Sequence, residues 1–149
     1  MLSRLFGWFY LNKHPEGAVP NQVIAGTFML YFALLLQMTS NLLEGINLAA
    51  FIFLFGFLFY FIFMTGEGRK WARIVMLILV LFNSYALVAN ITHPAITPAG
   101  AVQPAVFFKT PVFLTGLFIL EVLLELIAMA LLFSTQAKGW FGRARTNVN

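Results

Sequence analysis

Apolar residues run along this chain in four long blocks, separated by short polar or proline-rich segments. The blocks cover about Gln22 to Leu43, Ile46 to Met64, Trp71 to Ile91 and Val112 to Phe133. Each is close to the ~20 residues a helix needs to cross the hydrocarbon core of a bilayer. Backbone groups in that core must pair within the segment, so such blocks are helices or strands of a closed barrel. The second block tests the choice. Phe stands at 51, 53, 55, 57, 59, 61 and 63, a period of two that alone reads as a strand. The residues between them are Ile52, Leu54, Gly56, Leu58, Tyr60 and Ile62, whereas a barrel strand alternates apolar with polar. With no polar side, helix is the prediction, and Phe then surrounds it and meets lipid all round. The predicted fold is all-α: a bundle of four transmembrane helices forming a single integral membrane domain over residues 1–149.

Charge orients the bundle. Arg4 and Lys13 precede the first span, Arg69, Lys70 and Arg73 fill the turn between the second and third, and Lys138, Arg143 and Arg145 follow the fourth. Lys109 alone falls on the other side. Basic residues collect on the cytoplasmic side, so both termini are predicted inside. Trp8, Trp71 and Trp140 fall at the same interface, where indole rings sit at headgroup level. Arg69, Lys70, Trp71, Arg73, Trp8 and Trp140 are therefore expected to meet lipid headgroups. Within residues 1–20, Leu2 to Leu11 is too short to span and has no small-residue cleavage site. It reads as an interfacial helix rather than a signal peptide, broken from the first span by Pro15, Gly17 and Pro20. Residues 134–149 read as a basic cytoplasmic tail. The external connection 92–111 holds four of the six prolines, and either a lid or a stiff spacer fits it.

Composition narrows the chemistry. The chain is 61% hydrophobic and only 9% charged, far below the ~25% of soluble domains, so lipid is its solvent. Cysteine is absent, which removes disulfides, thiolate metal sites and thiol catalysis. The net charge of +4 comes from residues at span ends rather than a basic stripe, so the expected partner is the bilayer and not nucleic acid. His14 and His93 lie on opposite sides of the membrane and cannot share a metal or a haem. No Ser-His-acid set can assemble at one depth. No cofactor, metal or catalytic residue is expected.

The anomaly is Glu121 and Glu125, in the middle of the fourth span. Two such acids cost roughly 6 kcal/mol on insertion scales, and the Leu, Ile, Val and Phe around them return about as much, so the span inserts with little margin. A spacing of four puts both on one helix face. No Lys, Arg or His shares their depth, which leaves a proton, a bound cation or another chain to satisfy them. Asn83, near the middle of the third span, and Gln37 in the first are candidate partners. Small and polar residues on a stripe mark a helix seam in membranes. Gly26, Ala33, Gln37 and Asn41 form such a stripe, and Asn83 and Asn90 share a face seven residues apart. The second span is expected to lie outside this interior.

The turn Gly66-Glu67-Gly68-Arg69-Lys70-Trp71-Ala72-Arg73, of the form G-x-G-R-x-W-A-R, resembles a pattern in small four-helix bacterial inner-membrane proteins, largely uncharacterised. The ending Leu131-Leu132-Phe133-Ser134, then Trp140-Phe141, is similar to theirs too. The resemblance spans the layout of the chain through short motifs. It implies a bacterial inner membrane and no particular activity. The expected role is non-enzymatic: an accessory, assembly or oligomer-forming subunit docking through its intramembrane polar residues, as a homo-oligomer or in a larger complex. The alternative is a small proton-coupled transporter or channel using Glu121 and Glu125.

Overall fold

The structure, a computed structural model, describes residues 19–44, 47–92 and 111–143. It is helical, with no strand among the described residues: α1 (Asn21–Glu44), α2 (Leu48–Gly66), α3 (Lys70–Thr92), α4 (Pro111–Leu132) and α5 (Thr135–Arg143). Four of the five are long and apolar enough to cross a membrane. They correspond to the four apolar blocks within a few residues at each end. The Phe-rich block is helix α2, and the period of two scatters its rings as the sequence predicts. Phe53 is 77% exposed, whereas Phe55 and Phe61 are buried. Residues four apart on α2 meet along the helix, Phe51 tilted against Phe55 and Phe57 edge-on to Phe61, with ring centroids 4.5 Å apart in each pair. The interfacial segment with Trp8, and the external loop 92–111 beyond Thr92, lie outside the described residues.

Local chemistry sets the helix ends. The Pro20 carbonyl accepts from the Val23 and Ile24 amides and starts α1. The Asn47 side chain accepts from the Ala49 amide and caps α2. Pro111 opens α4 at a position where a missing N–H costs nothing. Between α2 and α3 the chain turns in a Schellman motif. The Arg69 amide donates to the Met64 carbonyl and the Gly68 amide to the Thr65 carbonyl, with Gly68 at φ 81°. That left-handed backbone is why glycine stands there.

The four spans pack in a ring, each on the two beside it, with α1 against α4 the most extensive contact. Val23, Gly26, Thr27, Leu30, Ala33 and Leu34 form the buried stripe of α1. At Gly26 the helices approach so closely that a Cβ would sit 2.9 Å from Leu132 Cγ and 3.1 Å from the Ala128 carbonyl oxygen. The α2 helix is a member of the ring, not an element outside it: Phe55, Phe61, Ile62, Thr65 and Gly66 are buried. It packs against both α1 and α3, burying Phe55, Phe61 and Ile62 that would otherwise lie on the outside. No more than 33% of any spanning segment is buried inside the bundle, so most of each helix presents apolar side chains outward.

The segment read as a tail contains α5, which folds back over one end of the bundle. Ser134 caps it: its hydroxyl accepts from the Ala137 amide and its carbonyl from Ala137 and Lys138. Ala137 and Phe141 are buried in the core, and Gln22 on α1 hydrogen-bonds Gln136. The close approach at Gly26 gives a direct check. Gly26→Ala is expected to lower stability by about 1–3 kcal/mol through overpacking. Gly116→Ala, where nothing lies within 4 Å of the added methyl, is expected to be neutral or slightly stabilising. Thermal unfolding of the two variants in one detergent compares them.

Candidate functional site

Most polar side chains in the spans satisfy themselves one turn back. Thr65 donates to the Phe61 carbonyl, Ser84 to Val80, Thr39 to Leu35 and Thr92 to Val88. Such bonds hold no two helices together. The exception lies near the middle of α3 and α4. One nitrogen, Asn83 Nδ2, donates to Glu121 Oε1 at 3.0 Å and to Glu125 Oε2 at 2.9 Å. A side-chain amide has two N–H donors, and both are used. The spacing of four on α4 makes this possible, because it places both carboxylates on the face that meets Asn83.

The two acids differ in exposure. Glu121 is sealed at 3% exposed, while Glu125 and Asn83 are half-buried. Oxygens that share one nitrogen at these distances lie at most ~6 Å apart, where two full charges repel by ~3 kcal/mol at an effective dielectric constant of about 20. Neutral amide donors offset part of that, and a proton, a cation or a further donor would offset the rest. Among the described residues no group of three or more His, Cys, Asp or Glu could hold a metal ion.

The structure thus brings Asn83 to the acids but leaves Gln37 out of the cluster. The Gln37 carbonyl accepts from Asn41 Nδ2 at 2.8 Å, so Asn41 bonds back to its own helix and both residues are only half-buried. A doubly donating amide on α3 already meets the pair, and α1 turns no polar side chain to it; the buried Thr27 hydroxyl of α1 has no partner at all among the described residues. Gly26 and Ala33 do sit in the α1 seam. The side chain of Asn90 lies outside the described residues.

The residues expected at headgroups divide into two groups. Arg69 and Lys70 are exposed and Trp71 is half-exposed, its ring edge-on to Phe61. Arg73 and Trp140 turn inward instead. The Arg73 guanidinium lies between the rings of Phe133 and Phe141, 4.3 and 4.4 Å from their centroids, and Nη1 donates to the Leu132 carbonyl at 3.3 Å. A cation is favoured there twice, by the ring faces and by the negative end of α4. Trp140 Nε1 donates to the Gly66 carbonyl at 3.3 Å, and its ring covers Gly68. Each long-range donor caps a helix C-terminus that would otherwise leave a carbonyl unpaired. The inward roles of Arg73 and Trp140 escape a reading based on charge counts. Ser134 followed by Ala137, Trp140 and Phe141 at helical spacing is the sequence feature that marks α5.

No protein-family model, curated protein or solved structure matches this chain. The geometry of the Asn83 bridge has a measurable consequence. In a double-mutant cycle of Asn83→Ala with Glu121→Ala, and a second with Glu125→Ala, each coupling is expected between about 0.6 and 1.7 kcal/mol, the range for hydrogen bonds between membrane helices. The same cycle run with Gln37→Ala is expected to show none.

Proposed function

We propose that this chain is a non-enzymatic integral membrane protein of a bacterial cytoplasmic membrane, with both termini inside. Its role is that of an accessory or assembly subunit, joining copies of itself or a larger membrane complex through the Glu121–Glu125–Asn83 seam. One observation carries the reading: a single internal amide meets both acids, with Glu121 buried and Glu125 half-buried at mid-span. An ionised carboxylate accepts more than one hydrogen bond, and lipid offers no donor at that depth. A donor or a basic side chain on a neighbouring transmembrane helix would complete Glu125 without disturbing Glu121. The resemblance of the Gly66–Arg73 turn and of the Leu131–Phe141 ending to small four-helix inner-membrane proteins supports the location. The excess of basic residues, eight to one, supports the orientation.

A second reading is favoured by the two carboxylates sharing one donor, which makes a compact site for a proton or a cation. On that reading the chain is a small proton-coupled transporter or channel.

Purification from native membrane in mild detergent is expected to yield an oligomer or a complex with another membrane protein. Glu125→Leu is expected to release it to monomer, with Glu121→Leu acting mainly on stability. A wild-type protein that runs as a clean monomer without a partner would sink the subunit reading. For the transporter reading, Glu121→Gln is expected to abolish pH-dependent flux in proteoliposomes, and unchanged flux removes it.

A further inference from the structure

The end of the bundle closed by α5 carries more cationic charge than its own residues answer. Arg69, Lys70, Arg73 and Lys138 lie there, against the single carboxylate of Glu67 among the described residues. Arg73 is taken inward by Phe133, Phe141 and the Leu132 carbonyl. The other three are exposed. They are also held at one end by rigid elements. Arg69 and Lys70 follow directly on the Schellman turn, and Lys138 lies on α5, which Trp140 fastens to Gly66 of the same turn. Because α5 docks through Ala137, Trp140 and Phe141, Lys138 is left on its outer side.

What lies beside these cations decides the ligand. Trp71 is 45% exposed and Ile74 53%, and Phe63 is exposed one turn before the end of α2. A free phosphate next to these side chains would border hydrocarbon. A phospholipid would place its phosphate on the cations and its acyl chains along the aromatic and aliphatic surface. An indole at this position is also the usual anchor at headgroup depth.

We propose that Arg69, Lys70 and Lys138, with Trp71 as anchor, form a contact surface for anionic phospholipid headgroups, and that Arg73 is an internal cap with no part in it. The proposal rests on the membrane placement given above and is independent of the Glu121–Glu125 seam. The surface fixes how deeply the α2–α3 turn sits in one leaflet and selects the lipids around it.

The test uses the full chain in nanodiscs of phosphatidylcholine with a minor fraction of phosphatidylglycerol, a composition that also reports whether the protein enters a bilayer at all. Lipid retained after mild delipidation is quantified by mass spectrometry. The wild type is expected to retain phosphatidylglycerol above its bulk fraction, and to lose that preference in high salt. A basic residue near an anionic surface is worth roughly a five-fold preference, so three acting additively are worth about a hundred-fold, and the triple variant Arg69→Gln, Lys70→Gln, Lys138→Gln is expected to lose about that much. Arg73→Gln is expected to keep the preference while lowering the melting temperature. Inorganic phosphate at equal concentration is expected not to displace the lipid. Entry into the bilayer with no enrichment would overturn the proposal. So would enrichment unchanged in the triple variant, enrichment lost in the Arg73 variant alone, or displacement by inorganic phosphate.

Discussion

A polar group surrounded by apolar side chains has no water to turn to, so most such groups here find a partner in the protein, the buried Thr27 hydroxyl being an exception. Where a side chain answers its own helix one turn back, as Ser84 and Thr65 do, the helix remains a self-contained cylinder. Where it cannot, it must reach another helix, and that reach determines which helices meet and in what register. Three such contacts do this here: Asn83 to the two glutamates, Arg73 to Leu132 and Trp140 to Gly66, while the exposed Gln22–Gln136 bond adds a tie at the bundle end. The apolar surface fills the space between them without choosing among registers, because Leu on Phe packs almost as well one turn along. The tight α1–α4 approach at Gly26 adds one steric constraint of the same kind.

Much of this was legible in the residues. The four spans follow from block length alone, and helix over strand in α2 follows from the absence of a polar side between the phenylalanines. The Asn83–Glu pairing was legible because acid at mid-span demands a donor and few exist at that depth. Gln37 was an equally good donor by composition. What excluded it was the direction each helix faces in the ring, which no single span encodes. Arg73 and Trp140 were misplaced for a related reason. Charge and aromaticity place a residue at the membrane edge, but they do not say whether it points to headgroups or to an unpaired carbonyl on the next helix.

The Gly66–Arg73 turn and the Leu131–Phe141 ending are distant in sequence and adjacent in space. The Gly66–Arg73 turn meets Phe133, Trp140 and Phe141, with Gly68 lying under the indole and Arg73 between two rings. A motif of this form is therefore explained by packing alone. Gly68 supplies the left-handed backbone, Ala72 is fully buried at the turn, and Arg73 caps the neighbouring helix. The candidate chemistry sits elsewhere, toward the middle of α3 and α4.

The α5 helix touches all four spans, by way of Gln22, Gly66, Arg73 and its own junction with α4. None of those contacts can exist until residues beyond Ser134 have been synthesised. The α1 helix, made first, waits more than a hundred residues for the glutamine that fastens its end. Docking of α5 is thus a late event of synthesis, and a chain that stops before Ser134 lacks every one of these ties.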